Sequence, residues 1–225
     1  MSLRLSIIIP TLNEAGQISA TLQALQFARD QGHEVIVVDG GSDDETPGRC
    51  AGLADHIVTA ERGRARQMNA GAKLAQGQIL WFLHADTRMA RSAVTELLQA
   101  VAEGALWGRF DVRLDSRLAM LRLVGFMMNR RSRLTGMATG DQGIFVQRAR
   151  FEAMGGFADI PLMEDIEISQ RLRRLAPPAC LTGPLVTSAR RWEQHGVWRT
   201  IGLMWSLRFA YWRGVDPHTL AGRYR

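Results

Sequence analysis

The sequence predicts an α/β protein: a mixed, mainly parallel sheet flanked by helices, in a single domain that ends in amphipathic helices. Three apolar runs carry that expectation. Leu5-Ser6-Ile7-Ile8-Ile9-Pro10, Val35-Ile36-Val37-Val38 and Ile79-Leu80-Trp81-Phe82-Leu83 are near-continuous β-rich stretches, the pattern of strands covered on both faces. Each run also ends in polar, mostly acidic residues: Thr11-Leu12-Asn13-Glu14, Asp39-Gly40-Gly41-Ser42-Asp43-Asp44 and His84-Ala85-Asp86. Open α/β sheets bind ligands at the carboxyl ends of their strands, so three such ends point to one crevice.

The elements follow in order. A strand over 5–10 leads to a helix from about Glu14 to Asp30, where Ile18, Leu22, Leu25 and Ala28 fall near helical spacing. Gly32 breaks that helix before a strand over 34–39. Ser42-Asp-Asp-Glu45 reads as a capping box opening a short helix. A short edge strand near 56–59 and a helix over about 63–75 come next. Gly77 separates that helix from a strand over 78–84, and a further helix covers about 92–103. Repeated βα units with short loops imply parallel strands and right-handed crossovers.

After Ala105 the rhythm changes. Residues 107–114 alternate imperfectly and suggest an exposed-edge or antiparallel strand. Residues 116–134 form a Met- and Arg-rich amphipathic helix, and 143–147 read as a strand. A helix beginning at Glu164-Asp165 is stopped by Pro177-Pro178, and an aromatic helix spans about 195–213. Residues 1–104 therefore look like a nucleotide-binding half and 105–225 like an acceptor half. No linker separates them, so one compact domain over 1–225 is expected.

At 225 residues with 46% hydrophobic content, the chain can bury a proper core. Its net charge of +6 comes from arginine, since Lys73 is the only lysine. That balance favours anionic partners such as phosphates or acidic headgroups. With no dense basic block and no nucleic-acid motif, nucleic acid is not expected as a partner. Cys50 and Cys180 are isolated, without metal-binding spacing. The N-terminal apolar run stops at Pro10, too short for a signal peptide, and no stretch is long enough to span a bilayer. A cytoplasmic protein is expected, with peripheral contact at the inner membrane face left open.

Residues two apart on a strand share a face, so His84 and Asp86 can project together. A carboxylate there suits a hard divalent cation, and the cation suits a diphosphate. Asp86 capping the next helix and His84 as a satisfied core histidine remain the plainer alternative. Arg62, Arg64 and Arg66 surround the start of a helix, a place that attracts phosphate. At alternate positions they cannot all face one ligand.

Six segments now carry a resemblance: Ser6–Glu14, Val38–Thr46, Gly63–Ala72, Leu83–Thr87, Gly140–Gly143 and Met163–Glu167. In this order, the chain resembles a family 2 glycosyltransferase of the GT-A fold, close to the small bacterial selenium/radical-SAM-associated group. The resemblance implies a nucleotide-diphosphate sugar donor held by Thr11, Glu14, Asp39, Ser42, Arg64, Asn69 and Asp86. Asp39 would accept a hydrogen bond from the base, although it also suits an Asx turn before Gly40-Gly41. Asp86 would bind Mn²⁺ or Mg²⁺. His84 stands where the family usually has the first acid of Asp-x-Asp, and as a ligand it would favour Mn²⁺. Asp165 resembles the general base for single, inverting displacement, while Asp141, Gln142 and Glu164 would form the acceptor side. Arg191-Trp192 resembles the end of a processive-synthase motif, but the upstream glutamine spacing is absent, which disfavours polymer synthesis.

The implied acceptor is a small or lipid-linked molecule. A nucleotidyltransferase is the enzymatic alternative, but Pro10–Glu14 lacks a glycine-rich phosphate loop. A non-catalytic nucleotide-sugar-binding or membrane-docking protein is the other. The aromatic helix over 195–213 suits a membrane, a homodimer or core closure.

Overall fold

The computed structural model describes residues 3–224. Seven strands form one sheet: β1 (Leu5–Thr11), β2 (Glu34–Asp39), β3 (His56–Thr59), β4 (Ile79–Phe82), β5 (Trp107–Asp115), β6 (Phe145–Gln147) and β7 (Ala179–Ser188). Their spatial order is β3-β2-β1-β4-β6-β5-β7. β1 pairs parallel with β2 and β4, and β2 with β3. β6 is antiparallel to both β4 and β5, while β5 runs parallel to β7. Strands from the two halves of the sequence thus share one sheet.

The helices are α1 (Ile18–Ala24), α2 (Gln26–Asp30), α3 (Thr46–Cys50), α4 (Arg64–Leu74), α5 (Ser92–Ala102), α6 (Ala119–Thr135), α7 (Arg148–Ala153), α8 (Glu164–Leu175), α9 (Arg190–His195), α10 (Val197–Trp212) and α11 (Pro217–Tyr224). Alternation along the strands divides the core into two layers. Leu5, Ile7, Ile9, Val35, Val37, Ile79 and Trp81 pack with residues of α1 and α5 on one face. Ile8, Ile36, Val38, Leu80 and Phe82 pack with α4 and α8 on the other. Gly71 lets α4 approach the sheet closely: a Cβ there would lie 2.6 Å from Ile8 Cγ2 and 3.0 Å from Val38 Cγ2. This contact sets where the N-terminus of α4 meets the ends of β1 and β2. Among the described residues, no helix is long and apolar enough to cross a membrane.

Several expectations are corrected. The first helix begins at Ile18, not near Glu14, and is interrupted at Leu25. The loops after β1 and β2 bond to each other instead: Asn13 N donates to Ser42 Oγ, Glu14 N to Thr46 Oγ1 and Ala15 N to Asp44 Oδ2. Ser42 opens no capping box, and the short helix starts at Thr46. Asp44 accepts the Thr46 N–H at 2.9 Å. β5 is antiparallel to β6, one of the two alternatives expected, but it is not an edge, since β7 lies outside it. β7 escapes sequence reading because Gly183-Pro184 interrupts its pattern, and a proline is tolerated there because the strand is the edge. The final aromatic helix runs unbroken over Val197–Trp212, close to the range expected, and the short helix Arg190–His195 before it ends at Gly196 with φ +81°.

Candidate active site

The carboxyl ends of β1, β2 and β4 meet the 3-10 turn Gly140–Gln142 and the N-termini of α4 and α8. Two cavities lie along this edge. One, of about 320 Å³, is bounded by Pro10, Thr11, Arg62, Gly63 and Gln67. The other, of about 440 Å³, is bounded by Asp141, Glu164, Asp165, Arg190, Arg191 and Tyr224. Glu14, Arg64, His84 and Asp86 border both. They form the partition where two ligands would meet.

Asp165 sits in the first turn of α8, and Met163 before it adopts a left-handed conformation at φ +70°. Such a conformation in a bulky residue is costly and is held only by its surroundings. Asp165 Oδ2 accepts the Gly140 N–H at 3.0 Å, and Oδ1 accepts the Ile166 N–H at 2.7 Å. Burial first, and the charge of Glu164 second, push its carboxyl up to about 6 despite those bonds and Arg64. A carboxylate poised near neutral pH is suited to take a proton. Glu164 is buried and lies 3.7 Å from Arg64 Nη1.

His84 Nδ1 is 3.1 Å from Asp141 Oδ1. Its other nitrogen, Nε2, is buried against Gly140, where a Cβ would approach to 2.5 Å. Nδ1 thus faces Asp141, while Nε2 has no hydrogen-bond partner. Burial raises the Asp141 carboxyl, but the His84 bond and charge, with Arg64 and Arg131, bring it below the usual range. Asp141 thus stays ionised beside the higher Asp165.

Asp86 borders both cavities and is 3.5 Å from the Thr187 hydroxyl. Glu14 Oε2 is buried without a hydrogen bond, its nearest cation being Arg190 Nη2 at 3.7 Å. Burial raises the Glu14 carboxyl; Arg190 pulls it down and Asp86 adds to the rise. Among the described residues, no three His, Cys, Asp or Glu side chains converge on one point to hold a metal. Mg²⁺-type sites commonly use one or two carboxylates with substrate phosphates completing the shell. An unpaired buried oxygen near a second carboxylate fits that pattern, with Asp86 and Glu14 as the hard oxygen donors.

Other expected site residues are turned elsewhere. Asp39 accepts N–H bonds from Gly41 and Ser42 at 2.9 Å and the Ser42 hydroxyl at 2.5 Å. Its carboxylate and the Ser42 hydroxyl tie the loop together, the Asx-turn arrangement, rather than face the cavities. The Asn69 amide bridges Phe157 N and O. Gln142 is fully buried, closing the turn on Thr139 through Thr139 N at 3.1 Å. Both amides are spent on main chain, so neither is free for a ligand.

Arg190 and Tyr224 went unnoticed in the sequence. Arg191 lies 3.7 Å over the Tyr224 ring and donates to the Tyr224 carbonyl at 2.8 Å. A residue arriving from the last helix leaves no local sequence signal.

The fold and this edge define an α/β protein with its ligand crevice at the carboxyl ends of the strands, and comparison supplies the family. The glycosyl transferase family 2 model matches residues 6–153. The chain belongs to that family. A mycobacterial glycosyltransferase from Mycobacterium tuberculosis is 32% identical over 125 residues, covering 53% of this chain and 46% of that one. The beta-monoglucosyldiacylglycerol synthase of Nostoc is 25% identical over 223 residues, covering 86% of this chain and 47% of that one. The chain thus spans about half the length of these curated relatives. Among solved structures, Staphylococcus aureus TarS with UDP-GlcNAc has a TM-score of 0.66 at 15% identity, over 83% of this chain and 58% of that one. The Pyrobaculum calidifontis mannosyltransferase PcManGT, with GDP-Man and Mn²⁺, has a TM-score of 0.61 at 25% identity, over 84% of this chain and 57% of that one. The GT-A fold is shared with both.

Proposed function

We propose that the protein transfers one sugar, with inversion, from a nucleoside-diphosphate donor to a hydroxyl of a small or lipid-linked acceptor, with a divalent cation. The observation that carries this reading is Asp165, a half-buried carboxyl raised to about 6, in the cavity that Asp86 also lines. The smaller cavity, between the β1 loop and the α4 N-terminus, takes the nucleoside and diphosphate, with Arg64 beside the phosphates. The larger cavity takes the acceptor. Asp165 accepts the acceptor hydroxyl's proton as that oxygen bonds to the anomeric carbon. The bond from that carbon to the donor's phosphate oxygen breaks, and its electron pair leaves with the diphosphate. Attack opposite the leaving group inverts the centre. Asp86 and Glu14 would hold Mn²⁺ or Mg²⁺, which supplies charge neutralisation on the leaving diphosphate. Glu14, Arg64 and His84 wall the meeting point, and Asp141 keeps His84 oriented.

The deciding experiment is thermal stabilisation by UDP and GDP with and without Mn²⁺ or EDTA. A ligand at 100 times its Kd raises stability by about 2.7 kcal/mol. Stabilisation that needs the metal and disappears in Asp86→Ala supports the reading. Equal stabilisation with EDTA, or an unaffected variant, rejects it.

A further inference from the structure

Two helices on the acceptor side carry large apolar side chains into solvent. On α10, Trp198 and Trp205 are each 72% exposed, Trp212 is 76% exposed, and Phe209 lies between them. At about 100° per residue these four fall within an arc of roughly 60°, a single stripe along the helix. The opposite side of α10 is used for packing, with Thr200 and Leu207 buried. On α6, Leu123, Phe126, Met127 and Leu134 are exposed, while Leu121 and Val124 are buried. The two helices touch: Leu121, Val124 and Met128 share a small cluster with Val197, Ile201 and Trp192. Exposed apolar surface on this scale marks an interaction site.

The charges around it say which kind. Together α6 and α10 contain six arginines and no acidic residue. Arg130 lies 6.0 Å over Phe126, and Arg213, just past α10, lies 6.0 Å over Phe209. Arg133 pairs with Asp111, but Arg130 and Arg213 flank aromatic rings instead. A symmetric dimer would set this patch against itself, arginine facing arginine across an apolar seam. An anionic lipid surface complements both parts: headgroups take the guanidinium groups, and the interface takes the tryptophan rings.

We propose that the Trp198–Trp212 stripe of α10, with the neighbouring exposed face of α6, is a docking surface for an anionic bilayer. Met204 and Arg208 of the same helix line the acceptor cavity. Docking would bring that cavity to the lipid surface, which within the proposed function selects a lipid-borne acceptor. Binding itself does not rest on that function and is read without a donor.

The test is co-sedimentation of the full chain with vesicles of phosphatidylcholine alone or mixed equally with phosphatidylglycerol. Mixed vesicles should bind at least ~10-fold more protein than neutral ones, and salt should weaken the binding. The Trp205→Ala/Trp212→Ala double variant should lose most of that binding while its donor hydrolysis without vesicles is unchanged. Arg122→Glu/Arg199→Glu gives the same readout through charge and serves if the double tryptophan variant does not fold. No binding to mixed vesicles, equal binding to neutral ones, or a dimer that the tryptophan variant converts to monomer would overturn the proposal. Loss of donor hydrolysis in the unaltered protein would instead count against the proposed function.

Discussion

Replacing Glu164 by glutamine should lower the pH at which transfer switches on. Asp165 stands at about 6 because of burial first and the Glu164 charge second. A carboxyl raised from 3.8 to about 6 favours its protonated form by roughly 3 kcal/mol. Glutamine keeps the size of residue 164 and removes the charge. It also frees Arg64, 3.7 Å from Glu164, whose field acts on Asp165 in the same lowering direction. Burial remains, so the midpoint should settle between 3.8 and about 6. The assay is kcat/KM for nucleotide release across a pH series, whose ascending limb reports the free enzyme's base. An unmoved or raised limb in Glu164→Gln would refute the coupling. A limb near 6 persisting in Asp165→Asn would show that another group is the base. The linkage sign follows: because the folded state raises this carboxyl, its contribution to stability falls as pH rises from 3.8 through about 6. Glu164→Gln should therefore lose less stability than the parent over that window, as melting at matched pH values would show.

Asp165→Asn should reduce kcat by about 10²–10⁴-fold with little change in UDP or GDP binding, since the amide keeps the shape but takes no proton; normal turnover would place the base elsewhere. Glu14→Gln should weaken metal-dependent nucleotide binding in calorimetry while leaving any metal-free binding unchanged, because only the ionised oxygen at Glu14 serves a cation. Gly71→Ala should lower stability by about 1–2 kcal/mol in urea unfolding. The new methyl meets Ile8 Cγ2 at 2.6 Å, and overpacking of that kind outweighs the helical gain of alanine over glycine. A more stable variant would mean that α4 can move away from the sheet at no cost.

The strands β1, β2 and β4 were legible because burial on both faces demands continuous apolar runs, and that demand is local to the segment. Their acidic ends were equally legible, so the edge holding Glu14, His84 and Asp86 could be placed before any coordinates. The first turn of α8 was readable for the same reason: adjacent acids at a helix start, followed by a proline stop. β7 was not readable, because an edge strand can carry Gly183-Pro184 that a central one cannot. The start of α1 was missed because bonds from Ser42, Asp44 and Thr46, about thirty residues away, hold the preceding loop.

What the sequence determined by itself was the layered α/β plan and the set of carboxylates at one edge, since periodicity and residue type suffice for both. Tertiary structure decided which of those groups line the cavities. Asn69 and Gln142 look like ligand amides in sequence, but the distant main chain of Phe157 captures Asn69, and Gln142 closes the turn on Thr139. His84 reads as an isolated strand-end histidine in sequence, and the fold sets Asp141 against one of its nitrogens and Gly140 against the other. Asp165 and Glu164 are neighbouring acids on paper, and it takes burial, with the Glu164 charge second, to lift Asp165 toward neutral pH. A side chain's identity is local, whereas its partners, solvation and proton affinity belong to whatever the fold brings beside it.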